Sequence, residues 1–313
     1  MIPLFLHPTK IVLLDDNSIF LKNLYSSLPK NFNFCLFDHI NEAYDCIKNA
    51  SLGFNASEFM RLKDGNHLNI DSYDYELPKI QTIFERKERL DVISVIVVDF
   101  DMPSMNGIDF LKKISDQKCK KILLTGFAGE KIAVQAFNDK TIDYFVKKED
   151  DNMLDVLTNI IRKAQKEFFQ ESSKGLLEIL KKDYEGCSPL FDPKFSIFHE
   201  KLCESNNIVE HYLLDSMGSS LMINASGEKY VLYVQNQDLL TSYYLEVENL
   251  DTEIFSLQEK EEIRQGKKMF CYIPKFNEIL PIPLKRKPYF CDTKILDNNK
   301  DWVYSFQPEC SIN

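Results

Sequence analysis

The sequence predicts an α/β protein: a doubly wound, five-stranded parallel sheet, then a helical connector and a smaller α+β domain with an antiparallel sheet. Three observations carry this. Short apolar runs alternate with amphipathic helical stretches five times between residues 10 and 168. The run "VISVIVVDF" (92–100) is apolar at nearly every position, the pattern of a strand buried on both faces. After residue 185 the alternation stops, and apolar runs separated by turns such as Ser226-Gly227 take over.

The elements follow in order. "KIVLLD" (10–15) is a strand ending on acids, and "SIFLKNLYSSL" (18–28) is a helix with Ser18 as its cap. "NFCLFDH" is the second strand and "INEAYDCIKNA" the second helix. Residues 51–89 interrupt the rhythm with a polar, aromatic-spiced stretch. It closes on "PKIQTIFERKERL", which reads as a helix with Pro78 in its first turn. The rhythm then resumes: strand 92–100, helix "NGIDFLKKISDQ", strand "KKILLTGF", helix "GEKIAVQAFND", strand "IDYFVKK" and a long helix "DNMLDVLTNIIRKAQKEFF". In that last helix Leu154, Leu157, Ile161, Ala164 and Phe168 form a heptad seam, interrupted at Gly175. The expected domains are 1–149 with an inserted segment 51–89, a helical connector 150–185 and an α+β domain 186–313.

Composition narrows the function classes. The chain has 313 residues, is 44% hydrophobic and 27% charged, and carries a net charge of −10. That balance makes nucleic acid an unfavoured direct target, because such binding draws on neutralised phosphates. No apolar run reaches the roughly 20 residues of a membrane helix. "MIPLFLHPT" lacks the basic lead and cleavage site of a signal peptide. The eight cysteines form no CxxC pair, so we expect reduced thiols and a cytoplasmic protein.

The chemistry gathers where strands end. Ligands of doubly wound sheets bind at the carboxyl ends of the strands. There the sequence places Asp15 and Asp16, Asp99, Thr125 and Lys147. Two unit charges about 4 Å apart repel by on the order of 4 kcal/mol at an effective dielectric of ~20. A hard dication such as Mg²⁺ offsets this, and an Asp beside it can take a phosphoryl group as an acyl phosphate.

The motifs "LLDDN" (13–17), "DFDMPSMNG" (99–107), "LLTGFAG" (123–129) and "DYFVKK" (143–148) resemble, in order and on the matching strand ends, the receiver domain of two-component response regulators. The resemblance covers residues 10 to about 168, apart from the insertion. It implies a flavodoxin-like fold and phosphorylation of Asp99. It implies Mg²⁺ held by Asp15, Asp16 and Asp99, with the backbone carbonyl of Asp101 as a further ligand. Thr125 matches the switch hydroxyl, Tyr144 the aromatic that swings inward with it, and Lys147 the lysine that pairs with the phosphate. The implied partner is a sensor histidine kinase or phosphotransfer protein, with a homodimer as a further possibility. Two departures stand out. Lys148 replaces the family's usual proline, and Gly126 replaces its common alanine, which opens access to the phosphoryl site.

The C-terminal region offers less. It contains no Walker loop, GxSxG, HExxH, GGDEF or EAL motif, and no convincing helix-turn-helix. His199 and His211 are too far apart in sequence to form a metal site by spacing, and "LKRKP" (284–288) reads as a solvated loop. The region looks somewhat like α+β sensory domains of the PAS type. The insertion and the acidic C-terminal domain together look similar to the Lqs-type quorum-sensing response regulators of Legionella. The expected function is a phosphorylation-controlled switch with a non-DNA-binding output. The alternatives are a receiver-gated enzyme with its site in the C-terminal domain and a DNA-binding transcriptional regulator.

Overall fold

The structure, a computed structural model, describes residues 1–51, 53–54, 56–62, 73–75, 77–126, 129–184, 188–248, 255–270, 290–296 and 299–309. It comprises two compact units. One contains His7–Phe54 and Arg86–Ser172; the other contains Met1–Leu6, Asn55–Glu85 and Ser173–Asn313.

After a short first strand, β1 (Phe5–Leu6), the receiver unit begins with β2 (Lys10–Leu14), α1 (Ser18–Ser27), β3 (Asn33–Phe37) and α2 (Ile40–Asn49). The insertion follows, with β4 (Met60–Leu62) paired to β5 (Tyr73–Tyr75). The receiver then continues through β6 (Ile93–Asp99), α3 (Gly107–Lys113), β7 (Lys120–Thr125), α4 (Glu130–Asn138), β8 (Tyr144–Lys147) and α5 (Met153–Tyr184). Its five strands are parallel, in the order β3-β2-β6-β7-β8. The cap of α1 is Asn17 rather than Ser18: its side chain accepts from the Phe20 amide.

Alternation along each strand builds two cores. Val12, Leu14, Ile96, Val98 and Leu123 face α2, α3 and α4, where Ala43, Ile47, Phe110, Leu111 and Ala133 are buried. Ile11, Leu13, Val95, Val97, Ile122, Leu124 and Val146 face α1 and α5. All seven residues of β6 are buried. The heptad seam of α5 is spent here: Leu157, Ile161 and Ala164 belong to the second core, while Leu154 is exposed.

Several expectations need correction. The helix α5 runs through Gly175 without interruption. An interior glycine costs about 1 kcal/mol, and burial of Leu176, Leu177, Ile179 and Leu180 around it offsets that cost. Instead of an α-helix, "PKIQTIFERKERL" forms 3-10 segments at Leu77–Glu85 and Lys87–Asp91. The domain boundaries also differ. Residues 1–6 and 55–85 belong to the unit of the C-terminal region, not to the receiver.

That second unit adds α6 (Pro193–Ser205), β9 (Ile208–Leu213), β10 (Ser220–Asn224), β11 (Lys229–Asn236), α7 (Gln237–Glu248), α8 (Leu257–Arg264), β12 (Lys268–Phe270), β13 (Phe290–Asp292), β14 (Lys294–Leu296) and β15 (Asn299–Pro308). Its six-stranded antiparallel sheet has the order β1-β9-β10-β11-β15-β14. Thus the first residues of the chain form an edge strand, with Phe5 opposite Tyr212 and the Leu213 amide donating to the Leu4 carbonyl at 2.8 Å. The insertion packs on the same unit: Phe84 meets the Tyr212 ring edge-on, and Phe59 meets Phe5. The expected hairpin turn is present, with Gly227 at φ +81° and Asn224 accepting from the Ser226 and Glu228 amides.

His199 and His211, distant in sequence, lie edge to face with ring centroids 4.9 Å apart. Cys35, Cys46, Cys119 and Cys203 are free thiols, whereas Cys291 is disulfide-bonded. This corrects the expectation of reduced thiols throughout, since linear spacing says little about thiols brought together by folding. Most of the "MFCYIP" strand and all of "LKRKP" lie outside the described residues. Among the described residues, no helix is long and apolar enough to cross a membrane.

Two outcomes follow. Phe5→Ala removes a fully buried ring from an edge strand, and urea denaturation is expected to register a loss of about 3–5 kcal/mol in the second unit. In the receiver, burial lowers the pKa of His7 from 6.5 to about 4, with Arg89 adding to the shift and the Pro8 carbonyl opposing it. A folded-state pKa below the unfolded value means stability is full above pH 6.5 and falls as pH drops toward 4. The shift amounts to roughly 3 kcal/mol, and His7→Phe is expected to flatten that limb of the receiver's stability–pH curve.

Candidate functional site

The order β3-β2-β6 puts the reversal of strand order between β2 and β6, where crevices form at the carboxyl ends of such sheets. β2 ends at Leu14, opposite Val98, so Asp15 and Asp99 leave the sheet side by side. Carboxylate oxygens of Asp15, Asp16 and Asp99 lie within 4.8 Å of one another. Asp15 and Asp99 are buried and Asp16 is exposed. One Asp15 oxygen accepts from the Asn17 amide at 2.9 Å, which anchors the turn into α1.

The cation facing these acids is Lys148. Its Nζ lies 2.7 Å from Asp15 Oδ2 and 2.8 Å from Asp99 Oδ1, and sits 4.4 Å from the Phe20 ring centroid. Lys147, the residue that the sequence resemblance matches to this place, instead pairs with Glu130 of α4 at 2.9 Å. The physical reason is local. Proline has no amide hydrogen, but Lys148 does, and it donates to the Thr125 carbonyl at 2.9 Å. The pairing of β8 with β7, Thr125 opposite Lys147, therefore runs one residue further. No cis peptide occurs among the described residues.

The same pleat separates Tyr144 from Thr125. Tyr144 pairs with Ile122, packs with the α1/α5 core and donates to Glu167 of α5 at 2.6 Å. Phe145 pairs with Leu123 and packs with the α3/α4 core. Thr125 lies two residues after Leu123 and so shares that side of the sheet. The aromatic on Thr125's face is thus Phe145, not Tyr144. Asp101 is exposed, and its carboxylate is outside the acid group. The resemblance assigns it only a main-chain carbonyl.

Two glycines make the site possible by close approach. A Cβ on Gly107 would lie 2.2 Å from the Asp99 carbonyl oxygen, and one on Gly129 would lie 2.1 Å from Thr125 Oγ1. The Gly107 amide donates to Phe100 O at 2.9 Å, closing the loop after Asp99. Thr125 is fully buried, with its hydroxyl donating to Gly126 O at 3.0 Å. Phe127 and Ala128 of the "LLTGFAG" motif lie outside the described residues.

Burial raises the pKa of Asp99, with Asp15 adding to the effect; Lys148 and the Phe100 amide pull it back. For Lys148, burial works downward, but the two carboxylates together outweigh it and the pKa is raised. Three clustered carboxylates suit a hard, oxygen-seeking dication, and the donor set fits Mg²⁺ in kind.

Removing Lys148 leaves two buried carboxylates facing each other. Lys148→Ala is expected to cost roughly 3 kcal/mol in urea denaturation without divalent metal. Lys147→Ala, which breaks a half-exposed pair with Glu130, is expected to cost less than about 1 kcal/mol.

Comparison with known proteins bears on the fold. Residues 65–159 match the response regulator receiver domain family. The structure of the Legionella pneumophila response regulator LqsR is similar over 98% of this chain and 89% of that one, with 28% identity and a TM-score of 0.71. An uncharacterized response regulatory protein of Staphylococcus epidermidis is 24% identical over 105 residues, 32% of this chain and 42% of the relative, so this chain matches under half of that protein's length. With the parallel sheet, its acid cluster and this likeness in hand, the chain contains a response regulator receiver domain and is similar along nearly its whole length to a response regulator.

Proposed function

We propose that this regulator is a phosphorylation-operated switch in which Asp99 takes a phosphoryl group from a histidine kinase or phosphotransfer protein. The observation that carries the reading is Asp99 itself. It is buried at the end of the central strand, 2.8 Å from the Lys148 ammonium and grouped with Asp15 and Asp16.

Asp15, Asp16 and Asp99, with the Asp101 carbonyl, would hold Mg²⁺. When bound, that ion neutralises the acids and the phosphoryl oxygens they face. The residues of the chain do the rest. An Asp99 oxygen bonds to phosphorus as the bond from phosphorus to the donor's histidine nitrogen breaks, leaving an acyl phosphate. Lys148 moves its ammonium from Asp99 Oδ1 to a phosphoryl oxygen. Thr125 gives up its bond to Gly126 O and donates to the phosphoryl group, and the absent side chain of Gly129 leaves room for this turn. Phe145, on the same face, follows Thr125. Tyr144 is held on the other face by Glu167 and takes no part. Hydrolysis of the acyl phosphate returns Asp99 and makes the signal transient.

The output rests with the second unit. Its residues are interleaved with the receiver's along the chain, which changes unit after residues 6, 54, 85 and 172. A change in the receiver therefore has four covalent routes to the output unit rather than one linker. Contacts of that unit, or association of two chains, are what the phosphate biases. Net negative charge disfavours DNA as the direct target.

Intact-mass spectrometry tests the reading. Incubation with acetyl phosphate and Mg²⁺ is expected to add about 80 Da. Asp99→Asn and a metal-free sample are expected to stay at the starting mass. Gain of mass by Asp99→Asn would overturn the assignment.

A further inference from the structure

The strands that lead to Asp15 and Asp99 at one end border a cavity at the other. Its volume is about 480 Å³, within the range of small-molecule sites. Lys10 at the start of β2 and Ile93 at the start of β6 line it, together with the end of α2 and the helical turn Lys87–Asp91. The cavity lies wholly within the receiver unit, at the place where the insertion leaves that unit and returns. Ala50 and Ser51 lead out, Glu88 and Asp91 lead back, and Ser51 and Val92 bridge in parallel between them.

The polar groups that remain available on the wall are mainly acceptors. Lys10 Nζ is met by Asp91 Oδ1 at 2.8 Å. The Asn49 side-chain nitrogen donates to the Asp45 carbonyl at 2.8 Å, which leaves the side-chain oxygen of Asn49 for the cavity. Glu88 is exposed, and among the described residues no cation pairs with it. One negative charge on the wall is therefore unmatched. Cys46, Ala50 and the buried Ile93 make up the apolar part of the lining.

We propose that this cavity binds a small organic cation. An ammonium or guanidinium group meets Glu88 and the Asn49 side-chain oxygen, and a short apolar body lies against Cys46, Ala50 and Ile93. Such a ligand touches both roots of the insertion, whose residues 55–85 belong to the second unit, so occupancy ties those roots together. The site is a second input to the chain and does not rest on the phosphoacceptor reading of Asp99. Because Glu88 is exposed, loss of its charge is expected to weaken binding about two- to fivefold.

Cys46 is a free thiol on the cavity wall and reports occupancy. The test follows alkylation of the full chain by iodoacetamide, a neutral reagent, with peptide mass spectrometry resolving Cys46 from Cys203, a half-buried thiol of the second unit. Agmatine, which carries a guanidinium and an ammonium on a short alkyl chain, is the probe. Glutarate, an organic dianion, is the control at matched ionic strength. Agmatine at about 10 mM is expected to slow Cys46 alkylation by a factor of two or more and to leave Cys203 unchanged, while glutarate changes neither. Glu88→Gln is expected to need several-fold more agmatine for the same protection, and Asp99→Asn to be protected like wild type. Equal Cys46 rates with and without agmatine would overturn the site. Protection by glutarate as well, or undiminished protection in Glu88→Gln, would overturn its preference for cations. Loss of protection in Asp99→Asn would overturn its independence from the phosphorylation site.

Discussion

The receiver depends on one electrostatic constraint: carboxylates of Asp15, Asp16 and Asp99 meet at the carboxyl ends of two adjacent buried strands. Such a group is costly unless a cation holds it. Lys148 is the cation the chain itself supplies, in contact with two of the acids. The surroundings are built to let this cluster exist. Burial of β6 on both faces fixes where Asp99 emerges. Gly107 and Gly129 let the backbone approach the Asp99 carbonyl and the Thr125 hydroxyl to distances that no Cβ would permit. The same features suit a phosphoryl group, which needs a buried nucleophile, a nearby ammonium and a donor hydroxyl with room to turn.

The absence of a proline at position 148 has effects beyond one peptide bond. An amide hydrogen there continues the β7–β8 ladder. Pairing fixed to the end of β8 also fixes which side chains face which core, because side chains alternate at every residue. Lys148 enters the acid cluster, Lys147 turns to α4, Phe145 shares a face with Thr125, and Glu149 comes to rest beside Gly126. One missing ring thus reassigns several neighbouring side chains.

The second unit is assembled from three stretches of chain. An edge strand from residues 5–6 and the insertion's aromatic residues supply buried groups to a sheet otherwise formed after residue 208. The apolar start of the chain, which lacks the marks of a signal peptide, has a partner in β9 through Phe5 and Leu6. The insertion, which breaks the receiver's rhythm, is structure belonging to another unit.

Much of the receiver was legible in the sequence by itself. The alternation of apolar runs and helical faces, the doubly buried β6 and the acids at strand ends depend on local pattern, and local pattern is what periodicity reports. Asp15, Asp16, Asp99 and Thr125 could be placed at strand ends for that reason. Other assignments were decided only by tertiary structure. Whether Lys147 or Lys148 reaches the acids depends on a hydrogen bond to Thr125, 23 residues away. Whether Tyr144 or Phe145 shares Thr125's face depends on the same strand register, which no single run of residues states. Likewise, the allegiance of residues 1–6 and 55–85 depends on burial against β9, more than 120 residues further on. Sequence patterns record which residues prefer to be buried; only the folded chain determines against what.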